Sequence, residues 1–199
     1  MEGQFAIPFA ESYVRHYEQL TGEDELLSKL AVIANAPKQG PLTASAGVAI
    51  VGRNFPFHIA YDLAEGLVSR GKKLGKKKDE APCSTIDFHV LRDATVLDPE
   101  ETLAEYKGRT QRPFLVGHYA PERIGEATTT SSTAKSLQTR DQWKEILRTV
   151  AVFDGKKPDN PTQTTGDPFP RARANRIVKL LAEGEGEKAA TEWDYALQN

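Results

Sequence analysis

Cys83 is the only cysteine of the chain and Met1 its only methionine, in 199 residues. A lone thiol excludes a disulfide framework and any cysteine-built zinc site. It follows Pro82 at the start of a candidate strand with no activating partner evident, which reads as a structural thiol rather than a nucleophile. No apolar run approaches the roughly twenty residues needed to span a bilayer, and no signal-peptide pattern opens the chain. A cytoplasmic protein without membrane contact is therefore expected. An excess of either charge is missing too: 26 Lys and Arg face 28 Asp and Glu, for a net charge of −2. Any attraction to nucleic acid must then be local. His16, His58 and His118 are scattered, without HExxH-type spacing, and no internal repeat is found.

What the chain does have is the composition of a soluble globular protein, 39% hydrophobic and 27% charged. Its length suits one domain of ordinary size, or a compact domain with an appendage. The most informative stretch runs from Thr43 to Leu91. Residues 43–52, ending in Val48, Ile50 and Val51, are small and apolar, as in a strand buried on both faces. Pro56 suits the first position of a helix, where its missing N–H would be unpaired anyway. Phe55, Ile59, Leu63 and Leu67 follow at four-residue intervals, with Ala60 and Ala64 beside them, which predicts one apolar helical stripe. The helix ends in Arg70, Lys72, Lys73, Lys76, Lys77 and Lys78, cations that complement the dipole at a helix C-terminus. Residues 84–91 alternate Ile86, Phe88 and Val90 as a strand with one buried face, leaving Asp87 and His89 on the other, solvent-facing side. Two strands joined by such a helix form a crossover. With a further strand between them they would form the split βαβ of ferredoxin-like folds, the arrangement expected here.

Around this unit the signals are shorter. Gln4–Ile7 reads as a brief strand that Pro8 ends. A helix follows with Phe9, Tyr13, Val14, Tyr17 and Leu20 on one side, closed at Thr21–Gly22. Asp24–Ala36 is a second helical run, carrying Leu26, Leu27, Leu30 and Ile33. Pro99–Lys107 predicts a short helix that Asp98 can cap, and Arg112–Val116 an extended segment. Thr128–Thr133 is polar and of low complexity, a loop or hinge. Asp141–Val152 is helical, with Trp143, Ile146, Leu147 and Val150 apolar. Asp154–Pro168 reads as a linker or mobile loop because of its prolines, glycines and polar residues. Arg171–Glu183 and Glu187–Leu197 complete the chain as helices. A boundary is placed near residue 118, dividing a mixed portion, 1–118, from a helical domain, 119–199.

Taken in order, Ser45-Ala-Gly-Val-Ala-Ile-Val51, Phe55-Pro-Phe57, Ala60-x-x-Leu-Ala-Glu65, Gly71-Lys72 and Ile86-Asp-Phe-His-Val90 resemble the second palm domain of the large subunit of type III CRISPR effector complexes. That family is related to nucleotide and diguanylate cyclases. Pro170-Arg-Ala-Arg-Ala-Asn-Arg176, followed by Glu192-Trp-Asp-Tyr195, looks like the helical domain that follows this palm. The resemblance is tight over residues 43–91 and loose elsewhere. It implies an α+β fold: the C-terminal part of a ferredoxin-like, cyclase-type palm followed by a helical appendage. Members of the family hold two metal ions on an aspartate of the first palm strand and on a Gly-Gly-Asp-Asp hairpin. This chain has no Gly-Gly-Asp-Asp and begins about where the strand leaving that hairpin would run. No catalytic residue and no metal ligand is therefore expected in it.

The resemblance also gives roles to individual residues. Lys72 matches a lysine that contacts nucleotide phosphates in the family, and Lys73 stands beside it. A point charge on a flexible stem suits phosphate without fixed geometry. Ser45 would border the pocket for base or ribose, with Gly47 allowing close approach. The plainer alternatives are a solvated helix end for the lysines and tight helix-on-sheet packing for Ser45 and Gly47. Lys76, Lys77 and Lys78 would meet solvent or a nucleic-acid backbone. Arg171, Arg173 and Arg176 oppose the dipole at a helix start and so suggest contact with a partner subunit or RNA. Asp87-x-His89 can ligate metal, but without a third ligand nearby a solvent-facing edge is the better reading. Asp62 and Glu65 read as the polar face of the long helix.

Together these readings lead us to expect a palm protein of antiviral defence that faces ATP but is inactive alone in cyclic oligoadenylate synthesis. It would bind no cofactor by itself. ATP and magnesium would enter only with the missing N-terminal palm half, or with other effector subunits as partners. The alternative is a non-enzymatic scaffold or RNA-binding subunit.

Overall fold

The computed structural model describes residues 2–33, 41–76, 82–91, 112–117 and 140–197. The chain is mixed α+β and divides into two compact units, Met1–Trp143 and Lys144–Asn199. The boundary expected near residue 118 lies outside the described residues, as do the helix expected at 99–107 and the loop at 128–133.

In the first unit α1 spans Gly3–Glu23 and α2 spans Glu25–Ile33. The strand expected at Gln4–Ile7 is instead the start of α1. Pro8 lies inside this helix, where its missing N–H forgoes one bond to the preceding turn. Ala10, Val14 and Glu18 are buried at four-residue spacing, with Ala6 and Ile7 half-buried above them. That stripe prevails over the local break. The expected aromatic face is the outer one: Phe9 and Tyr13 are exposed, and Phe9, Tyr13 and Tyr17 stack along the helix with ring centroids 6.5 Å apart. Nor does Gly22 end the helix. Asp24 does, at extended dihedrals, while its carboxylate accepts the Leu27 N–H at 2.9 Å to cap α2.

The sheet is built by β1 (Ser45–Ile50), β2 (Ser84–Val90) and β3 (Phe114–Val116), with α3 (Phe57–Gly75) between β1 and β2. Pro56 sits one position earlier than expected, at the N-cap of α3. β1 pairs directly and in parallel with β2, Ser45 opposite Thr85 through Ile50 opposite Val90. The intervening strand of a split βαβ is therefore absent among the described residues, and the unit is a plain βαβ crossover. β3 pairs antiparallel on the far side of β2, Ser84 opposite Val116 and Ile86 opposite Phe114.

The two faces of the sheet are covered differently. Below it, Ile50 approaches Gly3 of α1, and Phe88 and Phe114 pack with Trp143, their centroids 6.4 and 5.4 Å from the indole. Fully buried Glu18 sets its carboxylate against Gly117, whose φ of +92° and crowded surroundings both require glycine. Above it lies α3, with Leu63 and Leu67 fully buried. Gly71 and Gly75 continue the same line, so the end of the helix settles against Thr85 and Cys83.

The second unit is not wholly helical. The helix α4 (Arg140–Phe153) crosses the division between the units; after it β4 (Lys156–Lys157) and β5 (Asn160–Thr164) form a hairpin where a mobile loop was expected. Its base is tied by the Gly155 carbonyl, which accepts N–H bonds from Thr165 (2.7 Å) and Gly166 (3.3 Å). Backbone pairing, not an apolar pattern, makes this hairpin, and β5 is exposed throughout. The helices α5 (Arg171–Ala182) and α6 (Gly186–Leu197) follow. Between them Gly184, at φ +80°, and Glu185 return N–H bonds to Leu181 and Leu180, the helix end that glycine at this position favours. Phe153, Phe169 and Trp193 form the aromatic centre of this unit, with centroids 5.1–5.7 Å apart.

Candidate functional site

The C-terminal end of α3 lies over the N-terminal ends of β1 and β2, and two kinds of polar group meet there. Outside, Lys72, Lys73 and Lys76 are exposed, and no described residue pairs with them. Lys76 is the C-cap, its N–H returning to the Lys72 carbonyl at 3.0 Å. Lys77 and Lys78 lie outside the described residues. Beneath them Ser45 is half-buried under Gly71: a Cβ on Gly71 would stand 3.5 Å from that of Ser45. The Ser45 hydroxyl accepts a hydrogen bond from the Thr85 hydroxyl at 2.9 Å. Gly47, two residues on, supports the backbone of α3 directly. A Cβ there would meet the Ala64 carbonyl oxygen and come within 2.8 Å of the Val68 nitrogen.

Inside is a constellation that the sequence reading placed at a solvent-facing edge. Asp87 is completely buried and His89 nearly so. The correction follows from the sheet: opposite Gly47 and Ala49, these residues point toward α3, which covers them. Arg70 turns inward from the helix and sets its Nε 3.4 Å from Asp87 Oδ2, while its Nη2 donates to the Arg112 carbonyl at 3.3 Å. Arg112 Nη2 lies 3.5 Å from His89 Nδ1, and its guanidinium stands 5.2 Å from the Phe88 ring centre. Asp87 Oδ1 accepts the Phe88 N–H at 2.9 Å.

Burial pushes the Asp87 carboxyl above its ordinary value, against the opposing pull of Arg70, Arg112 and the Phe88 N–H. Burial likewise pushes the His89 imidazole below its ordinary value, and both arginines add to the effect. The cluster is therefore an internal charge network that ties α3 to β2 and the approach to β3. One signal pointed to it. Gly71 and Gly75 extend the Leu63–Leu67 line, bringing the basic helix end onto the strand, so that one cation of the run must face inward.

The remaining basic candidates lie apart, in the second unit. Arg176 Nε pairs with Glu192 at 3.0 Å and the Arg173 guanidinium stands 4.9 Å from the Tyr195 ring centre, both contacts joining α5 to α6. Arg171 is exposed. Asp62 and Glu65 are exposed on α3. Among the described residues no three His, Cys, Asp or Glu side chains gather to hold a metal ion, and no helix is long and apolar enough to cross a membrane. No family model matches the chain, and no curated protein matches its sequence.

Proposed function

We propose that the chain is a nucleotide-facing part of a palm-type effector protein of antiviral defence, of the kind found in the large subunit of type III CRISPR complexes. The observation that carries this reading is the placement of three unpaired lysines at the end of α3, the helix end whose Gly71 covers Ser45. Arg70 is held inward by Asp87, so among the described residues Lys72, Lys73 and Lys76 are the exposed cations of this helix end. The described residues offer no metal-binding group. In this reading the chain contributes a phosphate contact, and ATP and magnesium are met together with partner subunits of the assembly.

Isothermal titration with ATP tests the reading, with Lys72→Ala as the paired variant. Binding by the intact chain that weakens about tenfold or more in the variant supports a phosphate contact, equivalent to about 1.4 kcal/mol. Incubation with ATP and magnesium or manganese should give no oligoadenylate; any such product overturns the assignment.

A scaffold reading is favoured by a different observation. Ser45 and Gly47 are engaged in packing under α3, and Arg173 and Arg176 in joining α5 to α6. Absence of ATP binding by the intact chain would leave this reading. RNA binding through the lysines would show instead as an affinity that falls steeply with salt.

A further inference from the structure

We propose that the open edge of β1, together with the first turns of α3 that overhang it, receives an extended strand from a partner polypeptide. Among the described residues β1 pairs only with β2. Thr85 N–H bonds to the Ala44 carbonyl and Leu91 N–H to the Ile50 carbonyl, so the even-numbered residues of β1 face β2. Ser45, Gly47 and Ala49 consequently aim their amides and carbonyls outward, away from the sheet. An edge of this kind is usually blunted by charge, proline or a bulge. The six residues Ser-Ala-Gly-Val-Ala-Ile carry none of these, and every one is only half-buried although five are apolar or glycine.

The helix above shows where the sheet would continue. α3 runs obliquely: Gly75 lies against Cys83, just before β2, whereas Ala64 and Val68 lie on Gly47 of β1. Continued toward its N-terminus, the axis passes beyond β1. On the helical wheel Phe57 and Tyr61 fall about 140° and 180° from Arg70, and Arg70 faces β2 and β3. Phe57 and Tyr61 therefore occupy the flank toward the open edge, 81% and 57% exposed, with their rings 6.4 Å apart. A strand beside β1 would lie partly beneath this flank, which selects a partner segment with an apolar face.

A second copy of the chain does not fit that position. Pairing β1 with β1 about a two-fold axis at Gly47 would bring the two α3 helices, each crossing its own β1 at Ala64 and Val68, to about 5 Å apart there. Packed helices need about 8–10 Å. Sheet geometry alone carries this assignment, so it holds whether or not the lysine end binds a nucleotide.

The N-terminus of α1 provides a test, because Gly3 lies beside Ile50 at the end of β1. An alternating Thr-Val segment is fused ahead of the full chain through a short Gly/Ser linker, which keeps it at roughly millimolar effective concentration. Amide exchange by NMR should then slow at least tenfold at Ser45, Gly47 and Ala49 and stay unchanged at Ala46, Val48 and Ile50. A control segment with lysine in place of each valine should give no protection. Tyr61→Lys in the fused chain should reduce the protection without disturbing the core, and Ala49→Pro should abolish it. The proposal is overturned if the outward amides of the untethered chain already exchange as slowly as the inward ones. It is also overturned if the tethered strand leaves them unprotected, or if protection appears only with concentration-dependent dimerisation.

Discussion

Asp87 shows how a residue's meaning depends on what lies over it. On an uncovered strand its carboxylate would face water; beneath α3 it needs Arg70. Removing one partner of a buried ion pair leaves the other charge uncompensated, at a cost of about 3–5 kcal/mol. Arg70 is itself about a quarter exposed, and Arg112 remains near Asp87, so Arg70→Ala should cost toward the lower end of that range. Urea denaturation at neutral pH measures it, and a loss below about 1 kcal/mol would mean the pair does not hold α3 in place. The two titrating groups of this network act in opposite directions. The His89 pKa lies below its ordinary 6.5 in the folded chain, so the unfolded chain takes up the proton first. Its contribution to stability is complete above pH 6.5 and is lost as pH falls from there through the folded value. The Asp87 pKa lies above its ordinary 3.8, so its contribution is complete below that value and is lost as pH rises through the folded one. His89→Asn should therefore flatten the fall in stability just below pH 6.5. Urea midpoints measured between pH 7 and pH 5 that run parallel in wild type and variant would contradict this.

The element that organises the first unit is the β1–α3–β2 crossover, and its packing rests on an unusually close approach. At Gly47 the α3 backbone leaves no room for a side chain, whereas Gly52, just after β1, has open space around it. Gly47→Val should cost about 2–3 kcal/mol or more through overpacking, while Gly52→Ala should be nearly silent. Thermal melts of the two variants check this, and equal effects would refute the close contact. Much of this element was legible in the sequence. The apolar run before Gly52 and the Leu63–Leu67 spacing have local periods, so the strand and helix stand within a few residues of where they were expected. The pairing was not legible. Whether β2 lies beside β1 or one strand away depends on contacts about forty residues apart, to which local periodicity is blind. The same limit hid the inward face of Asp87 and His89, because an alternating strand looks alike whichever side is covered. At α1 the reverse happened. Pro8 and a run of aromatic residues gave strong local signals, yet the weaker Ala10–Val14 stripe, completed by the carboxylate of Glu18 against Gly117, decides which face is buried. The β4–β5 hairpin was hidden for a third reason: exposed polar strands carry no hydrophobic alternation to read.

For the whole molecule, near-zero net charge moves every electrostatic claim to particular patches. In the second unit Arg173 and Arg176 are occupied in joining α5 to α6, whereas Lys72, Lys73 and Lys76 at the end of α3 have no side-chain partner among the described residues. A salt-dependent ligand should accordingly respond to changes at Lys72 and Lys73 much more than to Arg176→Ala. Reversed sensitivities in a salt titration would shift attention to the second unit. The most direct measurement is a 15N NMR titration of the intact chain with ATP. The account predicts shift changes centred on Ser45, Gly71, Lys72 and Lys73 and their loss in Lys72→Ala; changes confined to the second unit, or none at millimolar ATP, would contradict it.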